Sequence, residues 1–486
     1  MGKRNSIIRF VYIIFLIYLI ILYANFYDSK HIDDILLFKI LLVSLVAIVL
    51  FIFREEKHEY LNGNRLSLPL FFLIGYLPTC LQYYLRYILD NSIDLALGYG
   101  LSMSVINKSA IISAIGLLCF LYGYLIPSRI NIRNSLKDNS IYPTKELQFL
   151  SIIVFVIYMI FIPKDYFAGN NSYYSNVGSI SFIALLSSRL YVFFNIAVIA
   201  LSSWNCSVKT IVEGGYTSFR DYLKSYKPSF LIVMFLYLVL NIMSGDRGCI
   251  FNTIIPLVIG FMIATRKKIK MLTMVVLGAI GIISLYFLGY FRAMDSSLSV
   301  ANRYQEATDI MSNQNLWDIT NELAVVIRAQ HALFMYVEDH GFMYFTPLIY
   351  SLLGIIPGAG FLFTTITGKN PDTIVSAQIA TNYLGADHGM GTTCVGDLYI
   401  SFGVISVIVF MVLLGYIYRL AADKTASYSM WGSLIFLYLL MTSPGIARET
   451  VFGLFRNCVF LMLIVYLNNK CFVKQKRRYR NQIDTR

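Results

Sequence analysis

Charge is scarce in this chain. Asp, Glu, Lys and Arg make up 14% of its 486 residues, against about a quarter in a soluble domain. A solvated globular body is therefore excluded as the main architecture. The sequence holds no GxxxxGK[ST] loop, no DxD, no HExxH and no GxSxG. Those absences remove nucleotide hydrolysis, metal-held nucleotide-sugar donors, zinc peptidase chemistry and serine hydrolase chemistry. No stretch is left over for a cytosolic nucleotide-binding domain, so energy and donor must come from something membrane-bound or from a gradient. Cysteine is sparse and unpatterned: Cys80, Cys119, Cys206, Cys249, Cys394, Cys458 and Cys471 form no CxxC and no zinc-like spacing. This predicts neither a disulfide framework nor a metal site, and no cofactor motif stands in for one. Of the seven, Cys249 and Cys394 alone are placed where they could face an oxidising space.

What fills the chain is apolar. Hydrophobic residues reach 57% and mean hydropathy is +0.64. A span needs roughly 17–25 apolar residues. The runs Phe10–Phe26, Ile35–Phe53, Leu66–Leu85, Ala110–Ile126, Leu147–Ile162 and Ile180–Leu201 qualify, or nearly so. Phe230–Met243, Cys249–Ala264, Met271–Phe291, Leu398–Tyr418, Trp431–Met441 and Val451–Leu467 follow. The seventh, eighth and eleventh are short. An all-α polytopic membrane protein with about 12 transmembrane helices is expected. The first run follows Lys3, Arg4 and Arg9 without a small-x-small cleavage site, which makes it a first helix and not a removable signal.

Basic residues cluster in alternate loops: Arg129/Arg133/Lys137, Lys209/Arg220/Lys224/Lys227, Arg266/Lys267/Lys268/Lys270 and the tail from Lys470. With both termini cytoplasmic these loops all lie inside, as the positive-inside rule requires. The net charge of +13 then answers to anionic lipid heads, not to nucleic acid. On this reading residues 1–291 carry nine spans, 292–396 form a large outer segment, 397–469 carry three more spans, and 470–486 are a basic cytoplasmic tail. An outer segment of roughly a hundred residues is long for a loop, and such loops are usually functional. Leu323, Val326, Ile327, Phe334 and Val337 recur at helical spacing, predicting an amphipathic helix over Asn321–Val337. Phe342–Thr365 is apolar but holds Pro347 and Pro357, which predicts a re-entrant or interfacial element.

Arginines stand where the chain turns outward: Arg247, Arg292, Arg303, Arg328 and Arg448, with Arg189 midway along Ile180–Leu201. For Arg292 and Arg303 a solvated or snorkelling anchor explains them as well as a site does. Arg247 sits in Ser244-Gly245-Asp246-Arg247-Gly248, a hairpin too short to relax. Arginines at membrane depth line cavities and take partners, and a guanidinium matches a phosphate bidentately. Arg328, His331 and Glu338 share a helix face. That pattern suits an anionic leaving group and a proton transfer, although an ordinary polar face has the same spacing. Asp387-His388 through Asp397-Leu398-Tyr399 runs into a span. There His388 and Asp397 suit a base and its orienter or sugar-hydroxyl ligands, and a turn closed by a capping Asp is the plainer reading.

Three of these features resemble the Wzy-type polymerases of O-antigen and capsule repeat units. They are the small-Gly-x-Arg-Gly turn at Ser244–Gly248, the Arg328-Ala329-Gln330-His331 run followed by Ile356-Pro357, and Gly396, Asp397, Tyr399, Phe402 and Gly403 opening a late span. Asp397 stands where Glu is common in that family, and Asp246 where a neutral residue is. The resemblance implies a GT-C-like glycosyltransferase working without a metal at the outer face of the bacterial inner membrane. It would move the growing glycan from undecaprenyl pyrophosphate to the non-reducing end of a new lipid-linked repeat unit. It implies pyrophosphate binding by Arg189, Arg247, Arg328 and Arg448, and catalysis by His388 or His331, with Asp397 next. Substrate contacts would come from Arg292, Glu338 and Tyr399. A separate chain-length regulator in the membrane is the expected protein partner. An O-antigen ligase of the WaaL type and a flippase for lipid-linked oligosaccharide are the alternatives.

Overall fold

The computed structural model describes residues 3–25, 32–55, 68–90, 101–128, 141–163, 166, 180–213, 218–244, 248–265, 302, 305–306, 308–310, 320–356, 359–370, 373–386, 389–426 and 429–471. These are helical or irregular, with no strand among them. Two compact units divide the chain, each assembled from distant stretches.

The first unit takes residues 1–130, 320–423 and 442–459. It opens with α1 (Lys3–Asn25), α2 (Asp34–Ile52), the pair α3 (Leu68–Cys80) and α4 (Gln82–Asp90), and α5 (Met103–Leu125). Asp33 caps α2 by accepting a hydrogen bond from the Leu36 N–H at 3.0 Å. The outward faces of α1 and α2 carry exposed Phe10, Ile14, Ile17, Phe38 and Leu45, which suits contact with hydrocarbon. By contrast α5 is enclosed, with 94% of its most apolar window buried, as expected of a helix surrounded by others. Glycine allows that enclosure. A Cβ on Gly123 would strike the Val412 backbone, and one on Gly415 would strike the Phe120 carbonyl, so α5 and α17 (Val404–Ala426) cross at backbone contact. Phe72, Phe120 and Tyr418 fill the space beside this crossing, the first two with ring centroids 4.0 Å apart.

The second unit takes residues 131–319, 424–441 and 460–486. Its described helices include α6 (Lys145–Phe161), α7 (Phe182–Glu213), α8 (Phe219–Leu223), α9 (Pro228–Met243) and α10 (Gly248–Thr265). Phe155, Tyr158, Tyr191, Tyr237 and Cys249 form its buried aromatic core. Some polar groups there are paired, as a low-dielectric interior favours: Ser151 donates to Asn195 at 2.8 Å, and Tyr158 to Asn241 at 3.3 Å.

Seven described helices are long and apolar enough to span, or eight if the pair α3–α4, bent by 49°, is one broken span. The chain is thus a multi-pass membrane protein. The expected runs Leu147–Ile162, Phe230–Met243 and Trp431–Met441 correspond to α6, α9 and α18 (Met430–Ile446), which are 17, 16 and 17 residues long. Met271–Phe291 lies outside the described residues. Two expectations need correction. Leu398–Tyr418 is not one helix but two, α16 (Cys394–Phe402) and α17, because Gly403 takes φ +63° between them. Arg189 is not midway along its helix. α7 runs to Glu213, which leaves Arg189 two turns from the start and on an exposed face.

The long segment resolves into α11 (Asn321–Ala324), α12 (Ile327–His340), α13 (Thr346–Leu353), α14 (Ala359–Thr367) and α15 (Ser376–Tyr383). The amphipathic helix expected over Asn321–Val337 is interrupted at the β-branched pair Val325-Val326, where tightened bonds run from Arg328 N–H to Val325 and from Ala329 N–H to Val326. The re-entrant expectation meets α13 and α14, of 8 and 9 residues, both too short to cross a bilayer. They leave Phe345, Ile349, Leu352, Leu362 and Ile366 exposed, as an element lying in the interface would. The segment is pinned to α16 by the Met343 and Tyr344 N–H groups, which donate to Ile400 and Ser401 at 2.9 Å each. These are carbonyls that the break at Gly403 leaves over.

Gly415→Leu is expected to prevent correct folding. Forcing carbon into a well-packed contact costs about 1–3 kcal/mol even where neighbours can yield, and here the neighbour is backbone. Size-exclusion of the detergent-extracted variant should show loss of the monodisperse peak.

Candidate functional site

In the first unit, α12 packs its polar face on α5, and this contact begins the site. Gln330 is completely buried. Its amide donates to Ser109 Oγ at 2.7 Å and Ser113 Oγ at 2.9 Å, while Thr393 Oγ1 donates to its Oε1 at 2.5 Å. One side chain of the long segment thereby ties together α5 and the start of α16. Thr393 also caps α16, accepting from Gly396 N–H at 2.9 Å, and a Cβ on Gly396 would press on Leu333 and Gln330. The glycine is needed for close approach.

His331 follows Gln330 into the core. It is completely buried, its Nε2 lies 3.1 Å from the Tyr84 hydroxyl, and Tyr84 donates to Ser109 at 2.9 Å. Burial drives its pKa down to about 3, so the ring is neutral at physiological pH. Asp397 is likewise buried, and burial pushes its pKa up to about 6 against the hydrogen bonds that favour the carboxylate. One oxygen accepts from Ser376 Oγ at 2.7 Å; the other accepts from the Val451 N–H at 3.0 Å. Val451 starts α19 (Val451–Cys471), so Asp397 does cap a helix, but a different one from its own. The Cys394 N–H donates to the Ala447 carbonyl at 3.0 Å. The turn carrying Arg448, half-buried beside Glu449, is held on both sides by α16.

On the last turn of α12 the Lys108 ammonium meets Glu338 Oε1 at 2.8 Å, with 7% and 34% of the two side chains exposed. The ammonium also lies 5.8 Å from the Tyr399 ring centroid and 6.0 Å from that of Tyr23. Tyr399 is stacked under Phe334 at 3.7 Å and is buried, so it serves as a wall and not as an open platform for a sugar ring. Lys108 had no place among the expected site residues. Its signal was the polar run Asn107-Lys108-Ser109 just before Ala110–Ile126. The helix begins at Met103, about two turns earlier than the apolar run, and the lysine is inside it.

Among the expected residues, then, Arg328, His331, Glu338, Asp397, Tyr399 and Arg448 fall in one unit. Arg328 is half-buried at the start of α12, its Nε donating to the Val325 carbonyl at 3.3 Å. Arg189 belongs to the other unit. Arg247, Arg292 and His388 lie outside the described residues. The seven cysteines are free thiols.

The family of the O-antigen polysaccharide polymerase Wzy matches the chain over residues 7–476, nearly its whole length. The chain belongs to that family. No curated protein and no solved structure matches it. As a Wzy family member it is an O-antigen polymerase in general terms, of the glycosyltransferase type, with lipid-linked oligosaccharide substrates in a membrane setting.

The neutral burial of His331 has a measurable sign. Its folded pKa lies below the ordinary 6.5, so the unfolded chain binds more protons and stability falls as pH drops below about 6.5. Asp397 acts oppositely between 3.8 and about 6. Subtracting a variant isolates the histidine: from pH 7 to 5 the melting temperature of the wild type should fall by more than that of His331→Gln, measured by differential scanning fluorimetry.

Proposed function

We propose that this protein extends a lipid-linked glycan. The growing chain leaves undecaprenyl pyrophosphate and joins the non-reducing-end hydroxyl of a new lipid-linked repeat unit, at the outer face of the bacterial inner membrane, on a GT-C-like scaffold. The observation that carries this is the family match across residues 7–476. The physics supports it. The leaving group is a pyrophosphate whose charge grows as the glycosidic bond breaks, and fixed cations in a dry site stabilise such charge without reorganising. Arg328 and Arg448 are half-buried cations set on α12 and on the turn before α19. A membrane-embedded chain-length regulator would act as partner.

Deleting the gene in its host should replace long surface chains with single repeat units, seen on gels and by mass spectrometry. Long chains stranded on the lipid carrier would point to a ligase, and units trapped on the inner leaflet to a flippase. Arg328→Ala and Arg448→Ala should each lower polymer yield by at least about 100-fold. Lysine in either place should fail to restore it, since a point charge cannot form the parallel pair of bonds. EDTA should leave polymer yield unchanged; a requirement for added divalent metal would sink the arginine-based account.

A further inference from the structure

The acceptor hydroxyl must lose a proton; of the side chains first expected to take it, His388 lies outside the described residues and the other two are poorly placed. His331 has no exposed surface and spends its Nε2 on Tyr84. Asp397 has both oxygens engaged, by Ser376 and by the amide that starts α19. Glu338 differs from both. It lies on the same face of α12 as Arg328 and His331, seven residues beyond His331. Its carboxyl is a third exposed and is held by a single strong contact, Lys108 to Oε1 at 2.8 Å. Among the described residues no hydrogen bond reaches Oε2. The cation that fixes it is itself immobilised, 7% exposed between the faces of Tyr399 and Tyr23, whose hydroxyls are 3.4 Å apart. A buried lysine holding one oxygen of a partly exposed carboxylate is an orienting device of the kind general-base catalysis needs.

We propose that Glu338 is the general base for the acceptor hydroxyl, with Lys108 as its positioning residue; this rests on the function proposed above. In the step, Glu338 takes the hydroxyl proton as the acceptor oxygen bonds to the anomeric carbon of the donor. The bond from that carbon to the pyrophosphate oxygen breaks, and its electron pair leaves with the pyrophosphate. Glu338 then returns the proton to water. A single displacement of this kind inverts the anomeric carbon.

Among the described residues, these charged and titratable groups lie around the Lys108–Glu338 pair. Lys108 comes from α5, Tyr23 from α1, Tyr399 from α16 and Tyr383 from α15, with Asp339 and His340 as chain neighbours. Tyr383 is occupied in donating to Asp339. Lys108 supplies the near positive charge.

The test uses full-length protein in proteoliposomes, with undecaprenyl-pyrophosphate-linked repeat units extracted from the host's deletion strain. Wild type should build a ladder, with an acid limb in its pH–rate profile. Glu338→Gln should lose at least about 100-fold in kcat with KM little changed, and should lose the acid limb. The double variant Lys108→Met/Glu338→Gln, which leaves no uncompensated buried charge, should fold and be equally slow. Lys108→Met alone should lower kcat with KM little changed; a purely structural lysine would lower the yield of folded protein and leave the kcat of what folds unchanged. NMR of the product should show inversion. Glu338→Gln or the double variant keeping a tenth or more of the wild-type kcat, or a product of retained configuration, would overturn the proposal while leaving the polymerase reading intact. Wild type that leaves the units unextended would overturn that reading, and the base with it.

Discussion

A primary amide buried beyond the reach of water must find partners for its donors and its acceptor, and Gln330 finds them on two other helices. Its bonds to Ser109, Ser113 and Thr393 hold the long segment against α5 and α16. Leaving such a group unpaired costs about 1–3 kcal/mol per lost partner, so the packing is directional where dispersion alone would let α12 slide. With Gln330 placed, the helix period dictates the rest. His331 turns into the core beside Tyr84, Arg328 sits at the upper turn, and Glu338 arrives over Lys108.

The same economy governs the turn before α19. A helix that starts in an apolar setting has N–H groups without acceptors, and Asp397 supplies one from 54 residues away. Its burial as an acid is tolerable because Ser376 and the helix start share its oxygens. Arg448 lies between this cap and the Cys394–Ala447 bond, so the cation proposed to meet a developing phosphate charge is set by backbone and not left on a loose loop. Two features that were separate along the chain, the Gly396-Asp397 run and Arg448, become one piece of architecture.

Much of this was visible in the residues. Apolar runs such as Ile35–Phe53 returned as α2 with bounds moved by one residue, because hydrophobic length is a one-dimensional property. The spacing of Arg328, His331 and Glu338 placed the three on one turn-to-turn row of a helix, and all three do lie on α12. Where helices begin and break was less visible, since a polar run before an apolar one looks like a loop. Thus Lys108 was passed over, and the break at Gly403 was hidden inside an apolar run.

The sequence by itself determined that the chain is a multi-pass helical membrane protein and which family it belongs to, because both follow from local composition and motif. Only the tertiary structure decided which polar groups are consumed in holding the fold and which stay available for chemistry. His331, Asp397 and Glu338 are equally titratable on paper. Their partners come from Tyr84, Val451 and Lys108, between 54 and 247 residues away, and a hydrogen bond across such distances has no local signature in the chain.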